Sequence, residues 1–208
     1  MEVRVSPTRM QLLRLKKRLA MAERGHKLLK DKRDELMKKF LDLIRQEQVL
    51  RGRVEEGLER VLPAFVRARA AMSGEALEEA FMVPKVSCGV DVSTATIMNV
   101  KVPEFTWRGE EVRDVYPYGF GGTSASLDDA VAGLAELLPK LAELAEAERA
   151  IELLADEIEK TRRRVNALEY VLIPNLRNAA KYITMKLDEM ERGNLTRLMK
   201  VKDMVRAK

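Results

Sequence analysis

The sequence predicts a mainly α fold: a long antiparallel two-helix coiled coil with a small central β-hairpin region. Three observations carry this expectation. Apolar residues recur at alternating three- and four-residue steps through Leu12, Leu15, Leu19, Ala22, Leu29, Leu36, Phe40, Leu43, Leu50, Val54 and Val61. A second series runs through Leu144, Ala147, Ile151, Leu154, Ile158, Val165, Leu168 and Leu172. Between them lies a segment of different character, rich in Gly, Val, Thr and aromatics. Steps averaging about 3.5 residues put one narrow apolar seam along a helix, and such a seam needs a partner helix to cover it. The expected division is residues 1–72, a first coiled-coil helix; 73–125, a hairpin and loop region; and 126–208, a second coiled-coil helix.

The first helix is expected to open at Ser6-Pro7-Thr8, with Ser6 as N-cap and Pro7 in the first helical position, where its missing N–H costs nothing. The pattern continues to about Ala71, and Ser73-Gly74 supplies a stop. At 1.5 Å per residue this is a rod of roughly 95 Å, with a kink expected at Pro63. Residues 84–103 alternate like strands between Pro84 and Pro103, and Ser93-Thr94-Ala95 is read as the hairpin turn. A hairpin alone is marginal in water, so it must lean on a helix or a partner. Residues 104–123, with Trp107, Tyr116, Tyr118, Phe120 and several glycines, read as a packed loop.

The second helix is expected to begin at Ser126, with Asp129 completing a short capping box, and to run to about Met204 with an interruption at Pro174. Past Leu172 the seam is read through Leu176, Ala179, Ile183, Leu187 and Met190, an eleven-residue rhythm that unwinds a left-handed supercoil. Folding the chain about residue 99 pairs positions whose numbers sum to roughly 198, which leaves the last eighteen residues projecting beyond the first helix. His26, Arg33, Glu47 and Thr161 fall on the seam; a thin rod is expected to leave them half exposed, with an Arg33–Glu169 pair across it.

The net charge of +5 hides a polarity. Residues 1–53 carry 16 basic and 7 acidic side chains and residues 160–208 carry 13 and 5, whereas residues 127–159 carry 2 and 10. Paired antiparallel, the two basic arms lie together, an arrangement suited to sitting in or against something negative. A lone histidine makes a His-based metal cluster or Ser-His-Asp triad a poor fit, and no phosphate-binding G-x-x-x-x-G-K-[ST] loop occurs. No catalytic, cofactor-binding or metal-binding residues are expected. The basic helices lack interleaved base-stacking aromatics, so nucleic acid is not the expected partner. A single Cys88 fits a reducing compartment, and neither a membrane span nor a signal peptide is read from the sequence.

Several stretches resemble a known family. Val5-Ser6-Pro7-Thr8-Arg9-Met10 and Gly25-His26-Lys27-Leu28-Leu29-Lys30-Asp31-Lys32-Arg33-Asp34-Glu35-Leu36 resemble the N-terminal helix of the D subunit of V-type and A-type rotary ATPases. Thr161-Arg162-Arg163-Arg164-Val165-Asn166-Ala167-Leu168-Glu169 and Val171-Leu172-Ile173-Pro174-Asn175-Leu176 are similar to its C-terminal helix, and Ile97-Met98-Asn99-Val100-Lys101-Val102-Pro103 to its hairpin. The resemblance implies a non-catalytic rotor shaft that couples ATP hydrolysis or synthesis to ion translocation, with protons the expected ion. It implies the hexamer of catalytic A and B subunits, the small central-stalk F subunit and the membrane-proximal C/d subunit as partners. The location it implies is cytoplasmic, peripheral to the membrane with no direct insertion, in an archaeal or bacterial complex. Arg9, Arg162, Arg163, Arg164, Lys200 and Lys202 are the candidate hexamer contacts. The alternative is a prefoldin-like chaperone or adaptor, which also sets a hairpin between two antiparallel helices; prefoldins need apolar tips, whereas Arg9, Lys200, Lys202, Arg206 and Lys208 stand at these ends.

Overall fold

A computed structural model describes residues 6–109, 115–119 and 121–206. The sequence readings that involve Met1–Val5, residues 110–114, Phe120 and Lys208 lie outside the described residues. The chain is mainly α, with a small two-stranded antiparallel sheet. It divides into two compact units: one joins the residues up to Glu35 with those from Ile158 onward, and the other is Leu36–Glu157.

Helix α1 spans Arg9–Ala71. Its N-cap is Thr8 rather than Ser6: the Thr8 hydroxyl accepts the Gln11 N–H at 3.3 Å, and the Thr8 N–H turns back to the Ser6 carbonyl at 3.0 Å. Pro7 therefore sits just outside the helix. The helix continues across Pro63. Pro63 and Glu59 both face solvent, so water can take the carbonyl that the proline leaves without a donor. Ser73 is a restart as well as a stop, since its hydroxyl accepts the Ala76 N–H at 3.3 Å and caps the short helix α2, Gly74–Phe81.

The hairpin is displaced from its expected position. Strand β1 is Cys88–Ile97 and β2 is Val100–Gly109, so residues 104–109 extend a strand that sequence reading placed in a loop. The turn is Met98-Asn99, with φ of 49° and 70°; two left-handed residues make the tight connection whose twist matches the strands. Ser93 and Thr94, read as the turn, instead pair with Glu104 and Pro103. Pairs alternate outward from a two-residue turn, so Thr94–Pro103 is a non-hydrogen-bonded pair and the missing proline N–H would have pointed away from β1. By the same alternation the Phe105 N–H points outward, and it donates to the Glu146 carboxylate at 2.9 Å. The turn end borders α1, where Ile97 shares a shallow groove with Lys39, Asp42, Leu43, Arg45 and Gln46. The hairpin leans on both helices of its unit.

Helix α3 spans Ala125–Ala167. Ser124 rather than Ser126 caps it: its hydroxyl accepts the Ser126 N–H at 3.3 Å and its carbonyl the Leu127 N–H at 2.8 Å. Asp128, in the first turn, suits the positive helix end and accepts the Tyr118 hydroxyl at 3.0 Å. Around it Ala68, Ala80 and Leu127 are buried beneath Phe65, Met72, Leu77, Tyr118 and Val131. Phe81 meets Tyr118 edge to face at 6.5 Å. Glycines set the approach of α1 to α3: a Cβ on Gly57 would collide with Leu137 Cδ1, and one on Gly133 would lie 2.7 Å from Val61 Cγ2.

The seam residues of both series are buried or half-buried, Leu172 excepted. Leu36 and Leu154 are fully enclosed. Within the first unit the antiparallel register is visible in Arg9–Glu191, Glu23–Arg177 and His26–Glu169, and within the second in Arg51–Glu148. These pair numbers sum to 200, 200, 195 and 199, close to the expected register. Past Leu168 the prediction fails by one residue. Leu168–Leu172 form a π-turn leading into α4, Ile173–Arg206, and it is Ile173, 8% exposed, that is buried, whereas Leu172 is 46% exposed. Met190, the last seam residue read from the sequence, is also exposed.

Two outcomes follow. Leu154→Ala removes an enclosed side chain and should cost about 2–5 kcal/mol in urea unfolding. Burial first, then the bond to Asp128, pushes the Tyr118 hydroxyl pKa well above its ordinary 10. Because the folded chain holds that proton more tightly, this contribution is complete below pH ~10 and lost as pH rises further. Alkaline titration of tyrosinate absorbance should show one late group that Tyr118→Phe removes.

Candidate functional site

The surface most unlike an ordinary helix pair is that of the first unit. Residues up to Glu35 and from Ile158 onward carry 24 basic and 11 acidic side chains, against 14 and 22 in Leu36–Glu157. Two helices of like charge are held together by the buried seam, and cross-helix ion pairs such as Arg177–Glu23 at 2.6 Å contribute little because they are exposed.

The six basic residues singled out from sequence fall into two groups. Arg9 opens α1 and pairs with Glu191 on α4. Every described residue from Asp188 to Arg206 is exposed, and those beyond Glu191 extend past the start of α1 as a single helix about 22 Å long at 1.5 Å per residue. Lys200 and Lys202 stand on this extension, beside exposed Leu195, Leu198, Met199, Val201, Met204 and Val205. Arg162, Arg163 and Arg164 are on α3, roughly 40 Å from Glu191 along the helical rise. Successive residues are about 100° apart on a helix, so the three fan around it. Arg163 is tied to Glu159, while Arg164 borders a shallow apolar groove with Leu29, Ala167, Leu168, Val171 and Leu172. The structure thus joins Arg9 with Lys200 and Lys202 and keeps the arginine triplet apart.

Of the polar seam residues, His26, Arg33 and Glu47 are half-buried as expected, and Thr161 is fully buried. Thr161 is 1% exposed, and its hydroxyl has no hydrogen-bond partner among the described residues. The Glu47 side chain is largely buried and lies 2.7 Å from the Arg51 guanidinium, whose other end reaches Glu148 at 2.7 Å; the bond to Glu148, then the charge of Glu47, raises the Arg51 pKa. The expected Arg33–Glu169 pair is replaced: Arg33 takes its neighbour Asp34 at 2.9 and 2.7 Å, and Glu169 faces His26 at 3.4 Å. The π-turn carries Glu169, and with Arg33 so close to its neighbouring carboxylate the cross-seam partner is the imidazole. Sequence reading missed the apolar groove and the outward Tyr170-Val171-Leu172, because it assigned Leu172 to the seam.

Residues 11–203 match the ATP synthase D subunit family. The chain belongs to that family. The V-type ATP synthase D subunit of Acetivibrio thermocellus is 60% identical over 205 residues, covering 98% of this chain and 92% of the relative. Its counterpart in Clostridium novyi is 58% identical over 204 residues, with coverage of 97% and 94%, and that in Thermoanaerobacter sp. strain X514 is 56% identical over 203 residues, with coverage of 98% and 97%. The match is to an ATP synthase component and not to the prefoldin-like alternative. This member of the D-subunit family has no described helix long and apolar enough to cross a membrane.

Thr161→Val keeps the shape and removes an unpaired buried hydroxyl. It should stabilise the chain by about 1 kcal/mol, read as a raised urea midpoint with an unchanged slope.

Proposed function

We propose that the chain is the central-stalk rotor shaft of a V-type ATP synthase. It is non-catalytic, and it couples ATP hydrolysis or synthesis in the A/B hexamer to ion translocation by turning as a mechanical link, with protons the favoured ion. The observation that carries this reading is the family match over residues 11–203 joined to a seam that binds the two termini-bearing segments side by side. A shaft has to transmit twist, and two helices zipped along a seam resist twisting better than one. The strongly basic end, with its single-helix extension and exposed apolar side chains, suits insertion among acidic and apolar loops of the hexamer. Arg9, Lys200 and Lys202 would act at the tip and Arg162, Arg163 and Arg164 further down. The small F subunit and the membrane-proximal C/d subunit would bind the remaining length, placing the chain on the cytoplasmic face of the membrane as a peripheral component.

Reconstitution with the catalytic subunits tests the reading. ATP-driven rotation and coupled ATPase activity should require this chain. The triple substitution Arg162→Ala, Arg163→Ala, Arg164→Ala should lower coupled turnover several-fold while helix content stays the same. A hexamer that binds the chain yet rotates and couples equally well without it would refute the assignment.

A further inference from the structure

The second buried series keeps its three- and four-residue rhythm except at one place. Ile158, Thr161 and Val165 are buried and Leu168 half-buried, and the next buried residue is Ile173, five residues on. A five-residue step is one turn of π-helix, here closed by the Ile173 N–H donating to the Leu168 carbonyl. The rhythm then resumes through Leu176, Ile183 and Leu187, buried or half-buried, with Ala179 and Ala180 both half-buried between them.

The same stretch carries another apolar series with no five-residue step: Leu168, Leu172, Leu176, Ala179 and Ile183. The two series share Leu168, Leu176 and Ile183. They differ in the choice between Leu172 and Ile173, adjacent residues of equal volume, whereas Ala179 and Ala180 are both half-buried and can serve either series. One extra residue in a seam can be concentrated in a single π-turn, or spread over eleven residues as an α-helix whose supercoil is locally unwound. This sequence offers apolar side chains for both solutions. Pro174 brings them closer in energy: it has no N–H to lose, and its ring crowds the Tyr170 carbonyl in a regular α-helix. Tyr170, Val171 and Leu172 are all exposed, so little packing has to break for the turn to rearrange.

We propose that residues 168–183 form a torsional joint with two states, a localised π-turn that buries Ile173 and an evenly unwound helix that buries Leu172. Exchange between them rotates α4 about its axis against α1 while keeping an apolar seam closed. In the shaft reading above, on which this use depends, the joint stores and releases twist between catalytic steps. The exchange itself is a property of the chain and is measured without the complex.

The test uses the full chain with Cys88→Ser, bearing one new cysteine at a time, and follows maleimide labelling. Leu172→Cys should label fast. Ile173→Cys should label about ten-fold faster than Ile183→Cys, which is enclosed in both states and lies nearer the end of the helix, so fraying would act in the opposite direction. Deleting Val171 removes the extra residue and leaves a regular seam through Ile173. In that background Ile173→Cys should become as protected as Ile183→Cys. Equal protection of the two sites in the full-length chain overturns the proposal, as does Ile173→Cys labelling that is unchanged by the deletion. Failure of the shaft reading would show instead as loss of dependence on the chain in the reconstituted complex, with the labelling pattern untouched.

Discussion

An apolar stripe one or two side chains wide cannot be hidden by the helix that carries it. That geometric fact governs this protein. Within the first unit Leu15, Val165 and Ile183, and within the second Val54, Val61 and Leu154, are buried because each helix supplies the other's cover. Many other seam residues are only half-buried, so each contributes part of the roughly 1.5–3 kcal/mol of a fully buried aliphatic side chain. Within each unit stability is spread over many seam positions and is not concentrated in one core. Where two helices do not suffice, other elements supply cover: the hairpin over Lys39–Gln46, and the aromatic cluster of Phe65, Phe81 and Tyr118.

The same constraint explains how a strongly basic unit holds together. Coulomb repulsion between exposed side chains is weakened by water and salt, whereas burial of the seam is not. The surface is thereby free to carry 24 basic residues in that unit. The seam follows the demands of folding and leaves the surface charge unconstrained by it, with few residues serving both. Glu169 and His26 are an exception, since they reach across the seam beside the π-turn.

Much of this was legible in the sequence, for identifiable reasons. Helix periodicity depends only on which residues are apolar, so the seam, the end of α1 at Ala71 and the antiparallel register were readable directly. Caps were misplaced by two residues at both Thr8 and Ser124, because adjacent hydroxyl residues compete for the same role and only backbone geometry decides between them. The hairpin turn was misassigned because Ser93-Thr94-Ala95 has turn-like composition, while Met98-Asn99 is marked only by the tolerance of asparagine for positive φ. Leu172 and Ile173 could not be separated by pattern at all, as both are apolar and the π-turn settles which faces inward. The six basic residues were recognisable as charged and exposed, but their separation into two groups required the pairing of Arg9 with Glu191.

The bond from the Phe105 N–H to Glu146 has a consequence beyond holding the hairpin in place. A two-stranded ribbon has two open flanks, each able to recruit a strand from a neighbouring molecule and so begin aggregation. Glu146 occupies a donor on the β2 flank with a carboxylate, and Pro103 leaves the next outward position without an N–H. That flank is a poorer template for another strand, and the molecule is less prone to stick to its own kind.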